Sequence, residues 1–278
     1  MRRSARVWPI LLAVMLVCVA AQAAEFTFTV FGDSQPGPKW EGLDITRQLV
    51  LQMIQHNPAI VIGTGDFVDG SGDQTRLRGQ YARFFEVLSP LKADGGGFAH
   101  QEIPVAFAPG NHDIRSSTRS EAIFKEYFGA LYYSFDLNGS HFIILDSEQV
   151  GHEGRIEGEQ WNWLVADLQA AKDSAYIFVA LHRPLFPIDG HIGSSMGVNV
   201  PLRDRLHSLF VTNRVSAVFS GHEHLYNHHR RDEVDYFING GGGGPLYVSR
   251  ARGGFHHYVL VTVSEQGYRA EPRPLGGG

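Results

Sequence analysis

The chain has 278 residues, a formal net charge of −5 and one cysteine, Cys18. Residues 1–23 carry Arg2, Arg3 and Arg6 and no acidic residue, so removing those three charges leaves about −8 on residues 24–278, which argues against nonspecific nucleic-acid binding. Roughly 250 residues bury an adequate core without disulfides, and no cysteine is available after Cys18 to form one.

The N-terminus reads as a targeting segment. "MRRSAR" is a basic start, "VWPILLAVMLVCVA" an apolar run, and Ala21-Gln22-Ala23 offers small residues to a secretory peptidase. We expect a signal peptide over 1–23, cleaved after Ala23, and an exported, periplasmic or secreted, product. The apolar run is short for a membrane span and contains Pro9, so no membrane anchor is expected after cleavage. Val17 before Cys18 argues against a lipoprotein.

From residue 24 to 278 the pattern predicts a single domain. Strand-like runs fall at 25–32, 59–65, 103–110, 132–137, 141–147, 176–181, 215–221, 234–240 and 257–263. Helix-period segments fall at 43–56, 74–89, 119–128, 158–172 and 202–213. Their alternation in the first half predicts crossover units with parallel pairing. "YYSFDLNGSHFIILD" is two strands around Asn138-Gly139, a hairpin signal, so the sheet system is mixed.

Five apolar runs end in short polar motifs: "GDSQ" (32–35), "GDFVD" (65–69), "GNHD" (110–113), "HRP" (182–184) and "GHEH" (221–224). In α/β sheets, sites form beyond the carboxyl ends of strands, so these motifs can converge on one rim. They supply Asp33, Gln35, Asp66, Asn111, His182, His222 and His224 as candidate ligands, with carboxylate, amide and imidazole donors and no sulfur. That set suits Mn, Fe or Zn better than Ca or Mg. Seven ligands are too many for one tetrahedral ion and suffice for two if one carboxylate bridges. Residues two apart on an extended chain face the same way, which would align His222 with His224 and Asp33 with Gln35. The glycine preceding four of these ligands permits close backbone approach or a positive φ. Taken singly, Asp33 and Asp66 could be helix caps and Asn111 a turn residue. His228 and His229 are adjacent and would point apart, so they are read as solvated.

The series "GDSQ … GDFVD … GNHD … H … GHEH" resembles the calcineurin-like metallophosphoesterases, which include purple acid phosphatases, over about 28–250. The resemblance implies an α/β fold, a four-layer α/β/β/α sandwich of two mixed sheets with a dimetal site at strand ends. It implies that Asp33, Gln35, Asp66 and His224 hold a first divalent ion. Asp66 would bridge to a second held by Asn111, His182 and His222. His112 would face the substrate as general acid, with Asp113 orienting it. The implied reaction is hydrolysis of phosphomonoesters or small phosphodiesters by a hydroxide between the metals, a nucleophile available near neutral pH. Two departures stand out. Most of the family has His where Gln35 stands, which points to weaker or more selective occupancy of the first position. Purple acid phosphatases place a tyrosine three residues after the bridging aspartate; here it is Asp69, expected to support a ligand.

Other readings compete. "GSSMG" (193–197) matches a nucleophile-elbow pattern with Ser195, but the preceding stretch has two prolines and reads as a loop. That loop, 183–199, is expected to border the metal site, with Arg183 and His191 able to meet substrate. "NGGGGGP" (239–245) lacks the Lys-Ser/Thr pair of a phosphate loop and reads as tight turns and backbone packing. A non-catalytic metal-binding module on the same fold is the remaining alternative.

Overall fold

Eleven strands, most of them apolar runs, form two sheets in the computed structural model, which describes residues 25–37, 41–92 and 102–276. The signal-peptide reading of 1–23, Cys18 included, lies outside the described residues. The first half alternates strand and helix: β1 (Phe26–Phe31), α1 (Glu41–Met53), β2 (Val61–Gly63), α2 (Gln74–Val87), β3 (Val105–Phe107), then the single turn α3 (Asn111–Ile114) and α4 (Thr118–Phe128). Next come β4 (Tyr133–Leu137), β5 (Ser140–Ile144), α5 (Gly158–Ala170), β6 (Tyr176–Ala180), α6 (Val200–Thr212) and β7 (Ala217–Ser220). Four strands close the chain: β8 (Tyr226–Arg231), β9 (Val234–Asn239), β10 (His257–Ser264) and β11 (Gly267–Pro274).

Helix starts follow local chemistry. The side chains of Asp73, Ser117 and Asn199 accept hydrogen bonds from the main-chain N–H three residues on, capping α2, α4 and α6. Asn138 and Gly139 adopt φ of 49° and 77°, the left-handed pair that a two-residue hairpin turn needs, and β4 pairs antiparallel with β5.

The order β11-β10-β1-β2-β3 forms one sheet and β4-β5-β6-β7-β9-β8 the other. Both are mixed: β1, β2 and β3 run parallel, as do β5, β6, β7 and β9, while the outer strands are antiparallel. Alternate residues of the strands face opposite layers. Phe28, Val30 and Ile62 meet Phe178, Ala180 and Phe219 between the sheets. Phe31 and Val61 point outward onto Leu49, Tyr81 and Phe84 of the first helical layer. Val179 and Val218 do the same onto Leu164, Leu206 and Phe210 of the second. The result is the expected α/β/β/α sandwich. Two strands have no counterpart in the sequence reading. β8, "YNHHRR", and β11, "GYRAEPRP", are sheet edges, where neither apolar alternation nor freedom from proline is required.

Candidate metal centre

The parallel strands of both sheets end at one rim, and backbone bonds stitch it shut. The Asp33 N–H donates to the Gly65 carbonyl (2.9 Å) and the Gln35 N–H to Asp66 (3.0 Å), which joins the loops after β1 and β2. Across the sheets, the Asp33 carboxylate accepts the His222 N–H at 2.9 and 3.0 Å, and His182 Nδ1 donates to the Thr64 carbonyl at 2.9 Å. All seven predicted ligand residues therefore lie along this one seam.

The chain reaches it by sharp reversal. Asp33, Asp66 and His222 take φ of 61°, 57° and 70°. Left-handed backbone in a non-glycine residue costs about 1 kcal/mol or more and persists where surrounding structure enforces it, typically at functional sites. This corrects the expectation that His222 with His224, and Asp33 with Gln35, align as alternate residues of a strand. The strands have ended at Phe31 and Ser220, and left-handed turns at Asp33 and His222, not strand alternation, carry these residues to the seam. The glycines matter chiefly for space: a Cβ on Gly110 would lie 2.1 Å from the Asp66 nitrogen, and one on Gly221 2.3 Å from Asp33 Oδ2.

Two adjoining clusters result. Asp66, His182 and His222 each offer a ligand atom within 4.8 Å of the others. His182 Nε2 lies 3.1 Å from His222 Nδ1, 3.0 Å from Asn111 Oδ1 and 3.4 Å from Asp66 Oδ2. Beside them, His224 Nε2 lies 3.4 Å from Asp33 Oδ1 and 3.1 Å from Gln35 Nε2. Asp66 belongs to the first cluster and also lines the cavity that Gln35 and His224 of the second line.

Each imidazole is oriented by its other nitrogen. His182 Nδ1 and His224 Nδ1 face the carbonyls of Thr64 and Pro245 (2.9 and 2.6 Å), so both Nε2 atoms present lone pairs inward. His222 is reversed: its Nε2 faces Ser194 Oγ at 2.9 Å, and its Nδ1 faces the cluster. The Ser194 hydroxyl donates in turn to the His191 carbonyl, which fits it to accept from His222.

The electrostatics match a cation cradle. Burial lowers His182's proton affinity, but Asp66, Asp33 and Glu148 outweigh it and push the pKa up to about 10, so this spot attracts positive charge. His222 is pushed down to about 2, by burial first and then by the charge of His182, so it is a neutral lone-pair donor. Burial alone would raise the Asp66 carboxyl, yet His182 and His112 bring it well below the usual range. Gln35 Oε1 is buried with no hydrogen-bond partner, an orphaned acceptor of the type a cation satisfies. The donor set fits two divalent ions of the Mn, Fe or Zn kind.

Two expectations about neighbouring residues change, those for Asp113 and Asp69. Asp113 does not touch the His112 ring. Its buried carboxylate accepts the N–H groups of Asp66 (2.8 Å), Gly110 (2.9 Å) and Phe67 (3.2 Å), clamping the turn that carries Asp66. His112 is oriented by the Asp69 main chain, whose carbonyl lies 3.0 Å from Nδ1, while its own N–H donates to Asp66 Oδ1 at 2.7 Å. Asp69's side chain accepts the Gly37 N–H (3.0 Å), so it braces the rim. Ser195 sits in the loop as expected: its hydroxyl donates to the His191 carbonyl (2.9 Å), it joins two short 3-10 turns, and among the described residues no imidazole is bonded to it.

Sequence reasoning missed Glu148, Ser194 and Tyr247. Glu148 is buried and grips Arg183 through Nε (2.7 Å) and Nη2 (2.7 Å); Arg183 Nη1 in turn donates to the Ser194 carbonyl, fixing the loop over His222. Tyr247 stacks on His224 with ring centroids 4.5 Å apart. None had a local pattern, because each acts through contacts made only in the fold. The glycine run 240–244 packs as expected: Gly242 and Gly244 N–H groups donate to the carbonyls of Gly32 and Asp33 (2.8 and 2.7 Å).

Two stacked mixed sheets with a His/Asp/Asn rim at the strand ends define a metal-centred α/β sandwich. Residues 26–226 match the family model described as calcineurin-like phosphoesterase, and the chain belongs to that family. It is 33% identical over 148 residues to purple acid phosphatase 22 of Arabidopsis thaliana, covering 52% of this chain and 31% of that protein. It is 27% identical over 199 residues to the serine/threonine-protein phosphatase CPPED1 of Bos taurus, covering 68% and 61%. The chain thus spans about a third of the purple acid phosphatase and well over half of CPPED1. A solved dimetal phosphatase from Danio rerio superposes with a TM-score of 0.68 at 16% identity, covering 90% of this chain and 96% of that one, a likeness of fold.

Proposed function

We propose that this chain is an exported, dimetal-dependent phosphoesterase that hydrolyses phosphomonoesters or small phosphodiesters. The observation that carries the reading is the inward convergence of Asp66, His182 and His222 ligand atoms within 4.8 Å, beside the Asp33, Gln35 and His224 group. Asp33, Gln35, Asp66 and His224 would hold one ion, and Asp66, Asn111, His182 and His222 the other. When bound, the pair supplies a water of lowered pKa and neutralises charge on the phosphoryl oxygens.

The protein's own groups do the rest. His112 carries a proton at Nε2, its ring fixed at Nδ1 by the Asp69 carbonyl, and delivers it to the departing alkoxide. Its main-chain N–H donates to Asp66 Oδ1, which ties the backbone of the acid to the carboxylate that would serve both ions. Asp113 holds the Asp66 turn, and Arg183 with Ser194 walls one side of the cavity that His112 and Asn111 line. Glutamine at position 35 gives the first ion a neutral oxygen where an imidazole is usual in the family, making that position the weaker.

The test is elemental analysis of purified protein followed by turnover on a panel of phosphomonoesters and diesters, with and without chelation. Chelator-sensitive turnover supports the reading. Stoichiometric metal with no turnover would instead favour a binding module. Export rests on residues 1–23; N-terminal sequencing of the protein recovered outside the cytoplasm should begin at Ala24.

A further inference from the structure

The phosphate is accounted for by the cradle, which leaves the organic part of the ester. Among the described residues seven large hydrophobic side chains are exposed. Four of them fall within 13 consecutive positions, Ile188, Ile192 and Val198 in the loop beside the cradle and Val200 at the start of α6, and a fifth, Tyr247, lines the cradle itself. Scattered exposed apolar residues need no explanation; Val198 and Val200 together in a cleft that adjoins the cradle do. The loop is not slack. It buries Leu185 and Met196, Glu223 accepts the N–H groups of Ile188 and Asp189 (2.8 Å each), and Ser194 is held on His222. An anchored loop that turns valine and isoleucine outward presents them.

A cleft of about 420 Å³ runs along this loop: Val198, Val200 and Pro201 form one apolar wall, Glu153, Arg155 and Asn199 lie among its polar lining, and it shares Arg183 and Ser194 with the cradle. Its two cations are already paired, Arg183 with buried Glu148 and Arg155 with Glu157, and Glu153 adds a negative charge to the lining. From Pro184 to Val200 the only charged residue is Asp189. The wall thus offers apolar surface and no spare cation for a second phosphate.

We infer that this cleft is the subsite for the organic group of the substrate and that it selects amphiphilic phosphate esters, with an alkyl or aryl group next to the ester oxygen, over sugar phosphates and nucleotides. The inference rests on the phosphoesterase reading above. It is tested with metal-loaded full chain and n-alkyl monophosphates from methyl to octyl, below their micellar concentrations. kcat/KM should rise about two- to fourfold per methylene over the first several carbons, as expected for methylenes leaving water. Glycerol phosphate should lie near the methyl ester. Val198→Ser with Val200→Ser should flatten the series, while Val211→Ser, an exposed valine on α6 outside this cleft, should leave its slope intact; melting temperature and metal content establish that the variants fold. Hydrolysis with a flat series, or a preference for nucleotides, overturns this inference alone. So does binding to phosphatidylcholine vesicles that the double variant abolishes alongside a flat series, which would make the patch a membrane-docking face. No hydrolysis of any ester overturns the phosphoesterase reading, and this inference with it.

Discussion

Two histidine pairs stand six residues apart in "GHEHLYNHH", and the fold treats them oppositely. His222 and His224 follow the end of β7, are 6% and 3% exposed, and each has one ring nitrogen committed to an oxygen so that the other faces a carboxylate-lined seam. His228 and His229 lie within the edge strand β8. They stack on Phe237 and Tyr236 of β9, with centroids 4.3 and 5.4 Å apart, and His228 pairs with Asp235 at the surface. The same side chain becomes a ligand donor or a packing element according to what fixes its second nitrogen and whether water can reach it.

That contrast can be broken at several depths. Asp66→Ala removes the carboxylate proposed to serve both ions and should abolish turnover and strip metal; a variant with full metal content would contradict the shared role. His112→Asn should keep metal but slow alkyl ester hydrolysis by about 10²–10⁴-fold. Its effect should shrink for a nitrophenyl ester, whose leaving group needs little protonation, and equal losses on both would remove the acid role. Ser194→Ala leaves His222 Nε2 without its acceptor and should weaken metal affinity by about 10–100-fold, measured by competition with a chelating dye. Gln35→His should raise occupancy of the first position, and unchanged metal content at limiting metal would discard the idea that glutamine weakens it. At the other pole, His228→Ala should leave metal and turnover untouched and change stability by less than about 1 kcal/mol in denaturant titration.

Much of this was legible in the sequence because the strand-end motifs obey a rule of position. Asp33, Asp66, Asn111, His182 and His222 each follow an apolar run, and buried parallel strands leave little ambiguity about which end of the sheet they occupy. Five helices were legible from their period and the β4–β5 hairpin from Asn138-Gly139, but the single turn α3 was not. Edge strands were not: β8 and β11 pair on one side only, so "YNHHRR" and "GYRAEPRP" carry no apolar signature. The orientation of the site was also hidden. Nothing in "GNHD" indicates that Asp113 turns toward the Asp66 backbone, since that choice depends on the left-handed φ of Asp66. Nor could "GSSMG" reveal that Ser194, not Ser195, touches a functional histidine. Both depend on loops meeting across 28 or more residues.

The most direct measurement is metal stoichiometry by elemental analysis, on the wild-type chain, Asp66→Ala and the paired variant His228→Ala/His229→Ala. The account predicts two divalent ions per wild-type chain, the same in the edge-strand variant, and loss in Asp66→Ala. Metal that survives removal of Asp66, or departs with His228 and His229, would contradict it.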